Sequence, residues 1–189
     1  RDKNYIILNG TWDIEISKSE ELPTNFSSKV VVPFAIETPA SSVNHLLEID
    51  EIIYYHKVVK IDNLSCFSHL FLCFDGVDQI ADIYINKEKV FTHIGGYTKF
   101  KVDIKKYVGN NSEFDLIVKV KDFTDSSFYS RGKQTLNPNN WFYTSSSGIY
   151  KSVYLVGLDD EYIEDIEYKT DFDKINKIYQ GETCFRVAV

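Results

Sequence analysis

Thr11-Trp12-Asp13-Ile14-Glu15-Ile16-Ser17 sets an apolar side chain at every second position. In an extended chain that period turns the apolar set to one face and the polar set to the other, the mark of a half-buried β-strand. Working outward, the alternation returns in Phe114, Leu116, Val118 and Val120, in Phe100, Val102 and Ile104, in Leu70, Leu72 and Phe74, and in Ala81, Ile83 and Ile85. Ile52 to Val59 and Ile149 to Val156 are rich in Ile, Tyr and Val, and each reads as one strand. Asp75-Gly76 punctuates one strand end, and Asn86-Lys87 joins two strands as a hairpin. Long amphipathic helices are missing, and Ser42 to Asp50 is expected to form a short helical turn at most. Many short strands with turn punctuation predict an all-β fold, a jelly-roll β-sandwich of two antiparallel sheets.

A polar break at Leu158-Asp159-Asp160-Glu161 interrupts this pattern, which resumes over Tyr162 to Thr170 and Thr183 to Val189. So short a tail cannot build a sandwich alone. The expected organisation is a sandwich domain over 1–158, then a linker and the first strands of a truncated β domain over 159–189. The 189 residues suffice for a substantial core. They fall well short of the roughly 250 residues that a (β/α)8 barrel takes.

With 43% apolar and 15% aromatic residues the chain is a folded protein. Its net charge of -7 repels nucleic acid, and no basic stripe offsets it. No apolar run is long enough to span a membrane as a helix. Three cysteines, Cys66, Cys73 and Cys184, make a poor disulfide framework and are expected as reduced, packed thiols. That favours a cytoplasmic protein, with secretion left open because a leader can have been removed before Arg1. The Asn-x-Ser/Thr triplets at Asn9, Asn25, Asn63 and Asn110 are expected to be chance matches.

No metal-ligating pair, phosphate loop or nucleophile elbow is present, so no cofactor or metal is expected. Asp and Glu number 28, and most are read as solvated strand faces. Asp122 and Asp125 follow a strand, where turn capping is the default. The most informative stretch is the long connection from Asp122 to Ile149, because loops of this length in compact domains are usually functional. It carries Arg131-Gly132-Lys133-Gln134 and Asn139-Asn140-Trp141-Phe142-Tyr143. Arg, Gln and Asn can meet sugar hydroxyls, and Trp or Tyr can stack on the apolar face of a sugar ring. Asp122, Arg131, Lys133, Gln134, Asn140, Trp141 and Tyr143 are therefore the substrate-rim candidates. The competing reading is that Trp141 and Phe142 plug the end of the sandwich while Arg131 pairs with an acid.

Leu8-Asn9-Gly10-Thr11-Trp12 resembles the opening of the sugar-binding domain of family 2 glycoside hydrolases, the family of β-galactosidases and β-glucuronidases. Val32-Pro33-Phe34, Tyr54-Tyr55-His56-Lys57, Phe74-Asp75-Gly76-Val77-Asp78 with Ala81 to Asn86, and His93 to Phe100 resemble later segments in the family's order. Arg131-Gly132-Lys133-Gln134 and Ser147-Gly148-Ile149-Tyr150 complete the set. The resemblance covers about residues 5–157. It implies a galactose-binding-domain-like jelly roll, then an immunoglobulin-like domain, then a (β/α)8 barrel that carries the two catalytic Glu of a retaining hydrolase.

No catalytic residue is therefore expected within this chain. Its implied partners are a β-glycoside carbohydrate and the barrel of the same polypeptide, with room for homo-oligomers of the full-length enzyme. The implied role is to brace the barrel and send the Asp122 to Ile149 connection to the pocket rim. The sequence departs from the family twice. Phe142 stands where β-galactosidases and β-glucuronidases place an Asp five residues before the Ser147 segment, which argues against β-galactosidase specificity. Lys87 replaces the hairpin Gly usual after Asn86, a small change in turn geometry. Two further readings are an independent carbohydrate-binding module and a plain sandwich interaction domain.

Overall fold

A computed structural model describes residues 3–61, 63–173 and 177–188. In chain order the strands are β1 (Tyr5–Ile7), β2 (Gly10–Ser17), β3 (Ser28–Val32), β4 (Ile52–Lys60), β5 (His69–Phe74), β6 (Val77–Asp78) and β7 (Ile80–Ile85). They continue as β8 (Glu88–Ile94), β9 (Phe100–Asp103), β10 (Glu113–Lys121), β11 (Gly148–Ile149), β12 (Val153–Leu158), β13 (Tyr162–Asp173) and β14 (Ile178–Ala188). Among the described residues helix is confined to a 3-10 turn at Pro39–Ser41 and to α1 at Lys105–Val108. The turn expected within Ser42 to Asp50 thus falls earlier in the chain, with Pro39 in its first turn where a missing N–H costs nothing.

Two antiparallel sheets form the sandwich, in the orders β3-β2-β4-β10-β7-β8 and β1-β12-β5-β9. The expected alternation is realised as burial: Ile83 and Ile85 of β7 point inward while Ile80 and Tyr84 face outward. Trp12 and Tyr55 meet edge to face at the centre, ring centroids 6.5 Å apart. The Trp12 indole N–H donates to the carbonyl of Leu8 at 2.7 Å, so the buried ring leaves no orphan donor.

β4 and β10 depart from simple alternation because both of their faces are covered. The 18–27 connection folds back over the larger sheet, and Leu22 and Phe26 pack against Ile52, Tyr54 and Ile117. Lys119 is buried there and pairs with Glu20.

Ile149 to Val156 is a correction, since it is two strands and not one. β11 pairs with β6 and β12 pairs with β5, so the chain changes partners across Tyr150 to Ser152. The cysteines are all free, but only Cys73 is packed, and Cys66 and Cys184 are exposed. Asn9 lies in the fold, its side chain accepting from Val153 N at 3.1 Å and donating to Ser152 Oγ at 3.0 Å.

The tail forms a single hairpin of β13 and β14, with a bulge between Ile163 and Asp165. Val189 lies outside the described residues. Ile163, Ile166, Tyr168, Phe172, Phe185 and Val187 share one face by the strand register, and all are exposed. Tyr162 at its base stands edge-on to His69 and Phe71, with centroids 5.7 and 5.8 Å away.

At the β7–β8 hairpin Asn86 and Lys87 both adopt left-handed backbone, with φ of 51° and 70°. This is the pair of positive angles that a two-residue hairpin turn demands. The turn geometry is therefore kept, and the lysine is held in it. Since a Cβ in this region costs about 1–2 kcal/mol, Lys87→Gly is expected to stabilise the chain by roughly 1 kcal/mol. A urea titration checks this through a higher midpoint at unchanged slope.

Candidate functional site

One end of the sandwich is closed by the β6–β11 pair, and the 122–147 loop leaves β10 there and returns into β11. Asp122, the first residue past β10, is buried. Its carboxylate accepts from Thr124 N at 2.6 Å, the expected capping of a turn, and from Ser147 Oγ at 2.7 Å. Ser147 N donates to the Glu37 carboxylate at 3.0 and 3.1 Å, and Ser145 Oγ adds a bond at 3.2 Å. Ile149 N donates to the buried Tyr55 hydroxyl at 3.2 Å. The returning arm of the loop is thus sewn into the end of the sandwich by side chains from β4, from the residue that follows β10 and from the segment after β3.

Asp78 of β6 lies behind this seam and is 4% exposed. Its Oδ2 accepts from Gln134 Nε2 at 3.1 Å, while its Oδ1 is buried without a partner, as is Gln79 Nε2. Burial, followed by the negative charge of Asp122, pushes the Asp78 carboxyl up to about 7. Glu37 is also raised, by burial, against the opposing pull of its bonds from Ser147. Gly96 packs so closely on Asp78 that a Cβ there would collide with its carboxylate. A Cβ on Gly148, where φ is 87°, would collide with the Tyr55 hydroxyl.

The seven sequence candidates divide into three groups. Asp122 and Gln134 turn inward to the seam. Arg131 stays within the loop, where Nη1 donates to Gln134 O at 3.2 Å and stands 3.6 Å from Asp125. Asp125 also accepts from Thr135 Oγ1, and that bond holds its carboxyl below the usual range. Lys133, Asn140, Trp141 and Tyr143 are exposed, Trp141 by 79% and Tyr143 by 66%. Trp141 and Phe142 therefore do not plug the sandwich, although Arg131 does face an acid. Phe128, 91% exposed, and Tyr97 add further rings to this end.

Sequence reasoning missed Asp78, Glu37, Tyr55 and Tyr97 as parts of the site. A carboxylate directly after the apolar Val77 was the available signal at Asp78; what buries it is remote in the chain. Among the described residues no group of three or more His, Cys, Asp or Glu side chains could hold a metal ion. None of their helices is long and apolar enough to cross a membrane.

The sequence profile of the "Glycosyl hydrolases family 2, sugar binding domain" matches residues 4–159. The chain belongs to this family. Among curated relatives, a Thermoanaerobacter pseudethanolicus Beta-galactosidase is 32% identical over 120 residues, spanning 62% of this chain and 15% of its own length. A Bacteroides fragilis Beta-glucuronidase is 28% identical over 178 residues, 86% of this chain and 22% of its own length. The chain of an "Uncultured Clostridium sp. Beta-glucuronidase" superposes with a TM-score of 0.75 at 21% identity, covering 98% of this chain and 34% of that one. The fold is thus that of the family, and this chain spans a minor part of each relative's length.

The seam predicts a pH dependence. An unfolded Asp loses its proton near pH ~3.9, whereas folded Asp78 keeps it to about 7. Between those values the folded state binds more protons than the unfolded one, so this group's contribution to stability falls as pH rises and levels off above 7. Asp78→Asn removes that loss. The variant is expected to gain on the parent by a few kcal/mol, to order of magnitude, between pH 4 and 8. Parallel unfolding curves for parent and variant across that range would contradict it.

Proposed function

We propose that this chain is the non-catalytic amino-terminal domain of a retaining glycoside hydrolase of the β-galactosidase and β-glucuronidase kind, which hydrolyses O-glycosyl bonds. In this reading the sandwich supports the catalytic barrel and the 122–147 loop contributes to the substrate pocket. The observation that carries it is an exposed group of rings, Trp141, Phe142 and Tyr143, standing on a loop whose base is fastened to the buried carboxylates of Asp78 and Asp122 and the half-buried one of Glu37. Aromatic faces stack on the C–H face of a pyranose, and Asn140 and Lys133 beside them can bond its hydroxyls. Contacts remote from the scissile bond orient a substrate and contribute to turnover. The acid chemistry lies elsewhere in the parent enzyme, and Asp78, Asp122 and Glu37 are structural groups.

Residues 159–189 are, in the same reading, a linker and the first strands of an immunoglobulin-like domain. The support is the apolar face of the β13–β14 hairpin, which a two-stranded unit cannot bury by itself.

Trp141→Ala in the full-length enzyme is expected to raise KM severalfold, while the unfolding midpoint of the present chain moves by no more than a degree or two. Trp141 is largely exposed, so little packing is lost. The purified chain is expected to show no turnover of nitrophenyl galactosides or glucuronides, and calorimetry no micromolar binding. Micromolar binding by the chain alone would replace this reading with an independent carbohydrate-binding module.

A further inference from the structure

We infer that Gln134 is a positioning residue, whose side-chain amide fixes the 122–147 loop, and with it Trp141 and Tyr143, to the end of the sandwich. Its Oε1 accepts from Ser146 N at 2.6 Å. Its Nε2 donates to Asp78 Oδ2 at 3.1 Å and to the Tyr97 hydroxyl at 3.3 Å. These partners belong to three separate segments: the run into β11, β6 itself, and the turn after β8.

The backbone around Gln134 holds the ring-bearing arm. Tyr143 N donates to Lys133 O at 2.9 Å, and Thr135 N donates to Tyr143 O at 3.0 Å, which makes a parallel bridge between Gln134 and Tyr143. Phe142 N then closes on Asn139 O at 3.0 Å, with Trp141 inside that turn. The side chain thus grips the sandwich while the main chain on either side grips the rings. Both hydrogens of the Gln134 amide are engaged, so it has no donor left for a sugar hydroxyl. Its influence on a substrate passes through Trp141 and Tyr143.

The consequence for a substrate rests on the proposed function; the fastening itself does not. The chain has two tryptophans, Trp12 in the core and Trp141 on the loop, so fluorotryptophan labelling gives two ¹⁹F signals that report core and loop separately. Gln134→Ala is expected to narrow and shift the Trp141 signal and leave that of Trp12 in place. At pH 8, where Asp78 has lost its proton, Gln134→Glu sets two carboxylates against each other and should release the loop as well. The double variant Asp78→Asn/Gln134→Glu exchanges donor and acceptor and should restore the parent Trp141 signal.

The inference is overturned by a Trp141 signal indifferent to Gln134→Ala, by equal movement of the Trp12 signal, or by failure of the exchange to restore order. In the full-length enzyme Gln134→Ala should raise KM roughly tenfold with little change in kcat. A released loop with unchanged KM would sink the pocket reading and leave the role of Gln134 standing.

Discussion

Three carboxylates, Asp78, Asp122 and Glu37, are gathered at one end of the sandwich, two of them buried and one half-buried, and their need for donors organises the loop around them. A buried acid without partners is costly, by several kcal/mol if it stays charged. The donors come from the loop: Gln134 to Asp78, Ser147 to Asp122, and Ser145 and Ser147 to Glu37. Loop and sandwich end are therefore mutually dependent. The loop lacks a core of its own, and the acids would be uncompensated without it. Asp78 shows where the match is incomplete. One of its oxygens has no partner, and its carboxyl answers by holding a proton to near neutrality.

This dependence joins the seam to the exposed rings. Trp141 and Tyr143 are presented at high exposure, yet the backbone beside them is bridged to Gln134, and Gln134 is bonded to the sandwich. A surface ordered before its ligand arrives does not spend binding free energy on ordering itself. Under the proposed function, that is the physical sense in which a non-catalytic domain would raise the efficiency of a distant reaction.

The strands were readable because one face of each is buried. Trp12, Ile14, Ile83 and Leu116 repeat at the period of the pleat and lie in the core. Periodicity failed where that condition fails. The outer faces of β4 and β10 are covered by Leu22 and Phe26, and at Tyr150 to Ser152 the chain leaves one ladder for another, a change of partner that no local pattern encodes. Half of the site was legible on the same grounds. Exposed rings in a long loop stand out in a sequence, whereas Glu37, Tyr55 and Asp78 owe their roles to burial by segments far away in the chain. Gln134 was found by its motif, but its direction was not: it faces the sandwich.

Amide hydrogen exchange in this chain tests the central claim, that the loop is a fastened platform, most directly. Tyr143, Ser146, Ser147 and Ile149 donate their N–H groups to Lys133 O, Gln134 Oε1, Glu37 and the Tyr55 hydroxyl. The account predicts that these four exchange orders of magnitude more slowly than the exposed residues Asn139 to Trp141 between them and Gln134. Uniformly fast exchange from Asn139 through Ile149 would contradict it.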